Sequence, residues 1–243
     1  MTPVVVWFRR DLRLYDNPAL HRACEQSRRI IPVYIHAPEE EHPWAPGAAS
    51  RWWLQHSLQR LDQALQDYGQ KLYYLSGDSA GVLADVCALT GAVQVVFNRL
   101  YEPHLAQRDD RVVKQLEARG IGVQGFHSGL FFQPGSLLNK QGSPYRVYTP
   151  FYRAARPLLD TLYGNDRAPD CDRQLRRLEP PPGLSGLATA PPRLVDEHPW
   201  HRKLHHYWQP GERQAQARLE AFLAGPVERY ARQRDLPALD GTS

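Results

Sequence analysis

Val4-Val5-Val6-Trp7-Phe8 is an unbroken apolar run of β-branched and aromatic residues, the pattern of a strand buried on both faces of a parallel sheet. Ile30 to Ile35 repeats it, and Lys71 to Leu75, Val93 to Phe97 and Val123 to Phe126 are three further short runs of the same kind. Segments of helical period separate them: Asn17 to Ser27, Arg51 to Tyr68, Ser79 to Thr90 and His104 to Arg119. In the second of these Leu54, Leu58, Leu61, Leu65 and Tyr68 share one face, and Gly69, Gly91 and Gly120 stand where the last three helices stop. Strands alternating with helical crossovers predict an α/β fold, a doubly wound, Rossmann-like parallel sheet with strand one central and the switch point beside it.

The apolar run ends abruptly in Arg9, Arg10, Asp11, Arg13 and Asp16, a mixed-charge cluster at the carboxyl end of the strand. In open α/β sheets that edge is where ligands bind, so the group reads as the rim of a site. Asp16 or Asn17 suits the N-cap of the next helix, with Pro18 in its first turn. His36 follows strand two directly, and the loop from His36 to Ser50 is long, acidic and proline-bearing, as functional loops at strand ends tend to be. Gly120-Ile121-Gly122-Val123-Gln124-Gly125 spells G-x-G-x-x-G, but it lies between a helix and a strand. A dinucleotide site needs the opposite order, so that phosphates meet a helix N-terminus.

Beyond strand five the pattern loosens. Pro169 to Pro210 holds eight of the 21 prolines and almost no periodicity, the mark of a long connection. His198, His201, His205 and His206 fall here, but Pro199 and the lack of an acidic or thiol partner argue for a solvated segment, and no metal site is expected. Glu212 to Leu223 is again amphipathic through Ala215, Leu219, Phe222 and Leu223; Gly225-Pro226 breaks it before a second short helical piece carrying Tyr230.

At 243 residues, 42% hydrophobic and 23% charged, the chain is long enough for a full core. A net charge of +4 permits contact with nucleic acid without requiring it. Cys24, Cys87 and Cys171 form no C-x-x-C and read as reduced packing residues. No apolar run reaches membrane-spanning length and the N-terminal valines end in charge, so neither a membrane helix nor a signal peptide is expected, and the expected compartment is the cytoplasm.

Three strings carry a resemblance. WFRRDLRLYDNPAL (residues 7–20), SPYRVYTPF (143–151) and YARQRDLPALDGTS (230–243) are together similar to the photolyase/cryptochrome family. The resemblance implies an antenna domain over residues 1–162, a Pro-rich inter-domain linker over 163–211 and the opening of a helical FAD-binding domain over 212–243. Tyr230, Thr242 and Ser243 fall on positions that contact FAD in the family, Thr242-Ser243 opening its phosphate loop. Only the first two residues of that loop are present, so the chain as given is expected neither to hold FAD tightly nor to repair DNA.

The activity implied for a complete member is light-driven cleavage of cyclobutane pyrimidine dimers, a carbon–carbon lyase reaction on damaged DNA bound by the helical domain. The antenna domain would hold a folate, deazaflavin or flavin pigment, with Glu102, Arg108 and Asp109 joining Arg9 and His36 as pocket candidates. His104-Leu105 stands where folate binders carry Asn-Glu, and Leu100 where deazaflavin binders carry an acid, so the pigment is left open. Two other readings are a cryptochrome-type photoreceptor module and a stand-alone nucleotide-binding α/β domain. The apolar face of Leu219, Phe222 and Leu223 is expected to dock on the α/β domain, stay exposed or mediate self-association.

Overall fold

The computed structural model describes residues 2–165, 171–181, 183–184, 186–187, 190–195, 199–236 and 238–239. Val4–Phe8 is β1, buried along its whole length, and it pairs in parallel with β2 (Ile30–His36) on one side and β4 (Gln94–Asn98) on the other. With β3 (Tyr73–Ser76) beside β2 and β5 (Gly122–Phe126) beside β4, the strand order is β3-β2-β1-β4-β5. The chain winds outward from β1 to β3 and then crosses back to β4, so the switch point lies between β1 and β4, as the sequence implies.

Four helices cover the two faces: α1 (Pro18–Gln26), α2 (Ala48–Gln66), α3 (Ser79–Thr90) and α4 (Pro103–Glu117). Alternate residues of β1 serve opposite sides. Val4, Val6 and Phe8 join Leu20, Leu58, Leu61 and Leu65 of α1 and α2. Val5 and Trp7 join Leu83, Val86, Val112 and Leu116 of α3 and α4. Asn17 caps α1, its side chain accepting from the Leu20 N–H at 3.1 Å, and Gly91 ends α3 in the left-handed region.

α5 (Tyr148–Asn165) runs past residue 162, with Pro157 inside it. The proline-rich stretch packs more closely than its composition suggests. Cys171 precedes the single turn α6 (Asp172–Leu175), and Cys171, Leu175 and Leu194 are buried in the α1/α2 core, while Leu184 and Leu187 lie against the α3/α4 core. Cys24 and Cys87 are free thiols; burial pushes Cys24 up to about 12 and Cys87 up to about 11, which suits packing rather than reactivity.

Three of the four histidines lie on a helix, α7 (Trp200–Tyr207), in which no residue is buried. Pro199 stands at its N-cap, where its missing N–H breaks no helical bond, and its carbonyl accepts from the Arg202 N–H at 3.3 Å. His198 lies outside the described residues, and among those described no group of three metal-ligating side chains converges. The chain closes with α8 (Glu212–Leu223) and α9 (Pro226–Gln233), in which no residue is buried.

Candidate functional site

Where β1 ends, the chain passes directly from a buried indole to buried charge. The guanidinium of Arg9 is enclosed against the faces of Trp7 and Phe97, 4.7 and 4.6 Å from their ring centroids. Its Nη1 donates to both carboxylate oxygens of Asp109 at 2.7 and 2.6 Å, and Nη2 donates to the Asn98 carbonyl. Burial lowers its pKa from the ordinary guanidinium value, and Asp109 pulls the other way. A buried cation survives only when paired and hydrogen-bonded, and α4 supplies that pair 100 residues along the chain.

Arg108 stands next to this pair, its Nε donating to Asp109 Oδ1 at 2.9 Å and its guanidinium 5.0 Å from the Trp7 centroid. On its far side Arg108 reaches Glu40 at 3.5 Å. Glu40 belongs to the single 3-10 turn Pro38–Glu41, and its carboxylate accepts from both the backbone N–H and the hydroxyl of Ser79 at 2.6 Å. A chain of charge thus ties β1, α4, the loop after β2 and the start of α3 into one floor.

Above that floor is a cavity of about 440 Å³. Trp7, Arg9, Leu12, Tyr34, Ile35 and Arg108 line it from the sheet side, and Glu41, Trp44, Ser50, Trp53 and Leu54 from the loop and α2. Three polar atoms on lining residues are enclosed and unpartnered: Trp7 Nε1, Arg9 Nε and Glu41 Oε2. The phenol of Tyr34 is shifted upward, mainly by burial and then by Glu41. An apolar slot with a few directed polar groups is the usual anatomy of a site for a flat, polar aromatic molecule.

Of the five residues singled out from the sequence, Arg9 and Arg108 line the cavity, and Asp109 is the buried partner that fixes both. Glu102 instead pairs with Arg10 on the exposed rim, and His36 is half-buried near Glu41, with burial lowering its pKa; neither lines the cavity. The sequence reading passed over Trp44, Trp53, Tyr34 and Glu41. The one signal for two of them was the acidic, proline-bearing loop, which bends back over the strand ends. Tyr230 is 40% exposed, with Phe222 edge-on to its ring at 5.8 Å and Arg234 also against it. Thr242 and Ser243 lie outside the described residues.

The glycines of G-x-G-x-x-G have local reasons. Gly120 takes a φ of +75° after α4, and a Cβ on Gly125 would meet the Phe97 ring at 3.0 Å, the same ring that carries Arg9.

Comparison with known proteins decides the family: the model of the DNA photolyase family matches residues 4–171. The chain belongs to that family. It is 38% identical to the deoxyribodipyrimidine photo-lyase of Agrobacterium fabrum over 251 residues, covering 99% of this chain and 49% of that protein. It is also 35% identical to Cryptochrome-1 of Arabidopsis thaliana, over 95% of this chain and 33% of that one. Among solved structures, the class III photolyase of Agrobacterium tumefaciens superposes with a TM-score of 0.83 at 35% identity, covering 100% of this chain and 48% of that one. An archaeal photolyase from Sulfolobus tokodaii, solved with two FAD molecules, matches at a TM-score of 0.55 and 28% identity over 63% of this chain and 34% of that one. The chain therefore spans about half the length of the photolyases it matches. Among its described residues no helix is long and apolar enough to cross a membrane.

Proposed function

We propose that residues 1–162 form the antenna module of a light-dependent DNA repair protein, and that the cavity above Arg9 and Arg108 holds its light-harvesting pigment. The observation that carries this reading is the set of enclosed, unpartnered polar atoms, Trp7 Nε1, Arg9 Nε and Glu41 Oε2, gathered on one aromatic-lined cavity at the sheet's switch edge. Leaving one such atom unsatisfied costs about 1–3 kcal/mol, so three around one cavity point to a ligand that satisfies them. The Sulfolobus tokodaii relative, solved with two FAD molecules and an implied light-harvesting cofactor, supports a light-harvesting pigment in the family.

A bound pigment would supply absorption of near-ultraviolet to blue light and pass the excitation on. The protein's part is to seat it: the indoles of Trp44 and Trp53 offer flat faces, Glu41 accepts from a ring N–H, and Arg9 and Trp7 donate to ring oxygens. Glu102 and His36 then act on the rim. A folate, a deazaflavin or a flavin each presents such groups. The parent activity, FAD-dependent cleavage of cyclobutane pyrimidine dimers in DNA, would fall to a helical domain that α8 and α9 begin.

The test is to incubate the protein with each of the three pigment classes and remove free ligand by gel filtration. A retained near-ultraviolet or blue band, lost in Glu41→Gln and Trp44→Ala, supports the reading; a colourless protein in all three mixtures overturns it. A second reading, a cryptochrome-type photoreceptor, draws on the 43% identity to Cryptochrome-1 of Sinapis alba over 57% of this chain. Light-dependent loss of dimers from irradiated DNA, catalysed by the protein carrying both its helical domain and FAD, separates repair from signalling.

A further inference from the structure

Beside Trp52 of α2 lies a second cavity, of about 680 Å³, lined also by α7 and the segment around Arg193. Its floor is Trp52, 1% exposed, whose indole N–H is enclosed and has no partner. The imidazoles of His56 and His205 stand edge-on to that indole, with ring centroids 4.7 and 4.8 Å away, and 4.6 Å from each other. Arg193 and Arg202 complete the wall, and among the described lining residues there is no carboxylate. Neither guanidinium has an ion pair or side-chain hydrogen bond among the described residues.

Two permanent cations, a pair of titratable imidazoles and a buried N–H donor around one opening make, among the described residues, a set of donors without an acceptor charge. The chemistry such a set satisfies is a tetrahedral oxyanion with several acceptor oxygens. We propose that this cavity is a binding site for a phosphate-bearing anion, seated between Arg193, Arg202 and the two imidazoles, with one oxygen accepting from Trp52 Nε1. The site is separate from the cavity over Arg9 and does not depend on what that one holds.

Protons report on it. The groups facing His56 are Arg60 on its own helix and His201 and His205 on α7, with Arg193 across the opening. Burial first, and then His205, hold the pKa of His56 below the ordinary imidazole value. An anion among these groups reverses the balance: it favours the imidazolium, so binding takes up protons and tightens as pH falls.

The experiment is a calorimetric titration of the full chain with sodium pyrophosphate, inorganic phosphate and adenosine monophosphate, each at fixed ionic strength with sodium chloride as the control. The indole N–H resonance of Trp52, assigned with Trp52→Phe, is followed in parallel. We expect saturable one-to-one binding, about fivefold or more tighter near pH 6 than near pH 8. Arg202→Ala and His205→Ala, both at exposed positions of α7, are each expected to weaken it about tenfold, and the Trp52 resonance to shift with the same saturation curve. Adenosine monophosphate matching phosphate would assign a phosphate ester, and its rejection with phosphate accepted would assign the free anion. A response that sodium chloride reproduces, affinity that both variants leave unchanged, binding that tightens with rising pH, or an unmoved Trp52 resonance would each overturn the proposal.

Discussion

The α/β layer and the pair of helices after Gly211 are both written with amphipathic sequence, yet they end in opposite conditions. α4 buries Leu105, Val112 and Leu116 together with Arg108 and Asp109, whereas α8 leaves Leu219 and Leu223 53% and 57% exposed. Periodicity specifies a face that can be buried, and the presence of a partner decides whether it is. The layer is held by area and by paired charge. The later helices are held by single directed contacts: Glu212 accepts from the backbone N–H groups of Leu14 and Tyr15 at 2.8 Å each, the Trp208 ring meets Trp53 at 5.9 Å, and Arg218 lies over Trp208.

If that contrast is right, the largest effect comes from unpairing the layer's buried charge. Asp109→Ala leaves Arg9 enclosed without a carboxylate and should cost about 3–5 kcal/mol in urea unfolding; a loss below about 1 kcal/mol would show that Arg9 is solvated after all. Glu212→Ala should cost less and act locally, about 1–3 kcal/mol for two charge-assisted bonds. Its readout is faster amide exchange at Leu14, Tyr15 and along α8, with the exchange of β1 unchanged. Equal acceleration in β1 would mean that the two regions form one cooperative unit.

Acidification should sharpen the contrast again. His56 binds protons less readily folded than unfolded, so the stability tied to its neutral form is full above the ordinary imidazole pKa of 6.5 and is lost as pH falls through its lower folded value. In anion-free buffer, a loosening of α7 on α2, followed by the fluorescence of Trp52 and Trp53, should therefore grow as pH falls below about 6.5 and be suppressed in His56→Gln. The smallest effect is at the rim: Arg10 and Glu102 are paired but nearly half exposed, and Arg10→Ala should change stability by about 0.5 kcal/mol or less.

The strands and their order were legible because a doubly buried strand must be apolar at every position, and Val4 to Phe8 is apolar at all five. Asn17 and Gly91 were legible for a similar reason, since caps use few residue types. Half of the candidate site was legible too: Arg9 at the strand end, Arg108 and Asp109 one turn into α4. What stayed hidden were relations across the chain. Nothing in the sequence says that Glu40 receives Ser79 and Arg108, or that Trp44 and Trp53 fold over the strand ends, because those contacts depend on how a loop closes. Which copy of Tyr230's environment matters, the exposed ring beside Phe222 or one buried against further helices, is a question of partners and not of pattern.

Asn98 gives the sheet an order of assembly. Its side chain donates to Asn17 Oδ1 at 2.8 Å and to Asp11, its Oδ1 accepts from the Ala19 N–H at 3.1 Å, and its carbonyl receives Arg9. Every one of these bonds spans about 80 residues or more, so none can form until β4 has come home beside β1. The first half of the sheet can therefore be sampled early, and the clasp that locks its switch edge closes late. Pulse-labelled hydrogen exchange should find the Ala19 amide protected only together with β4, giving the molecule a slow final step in which its two halves are sealed by one amide side chain.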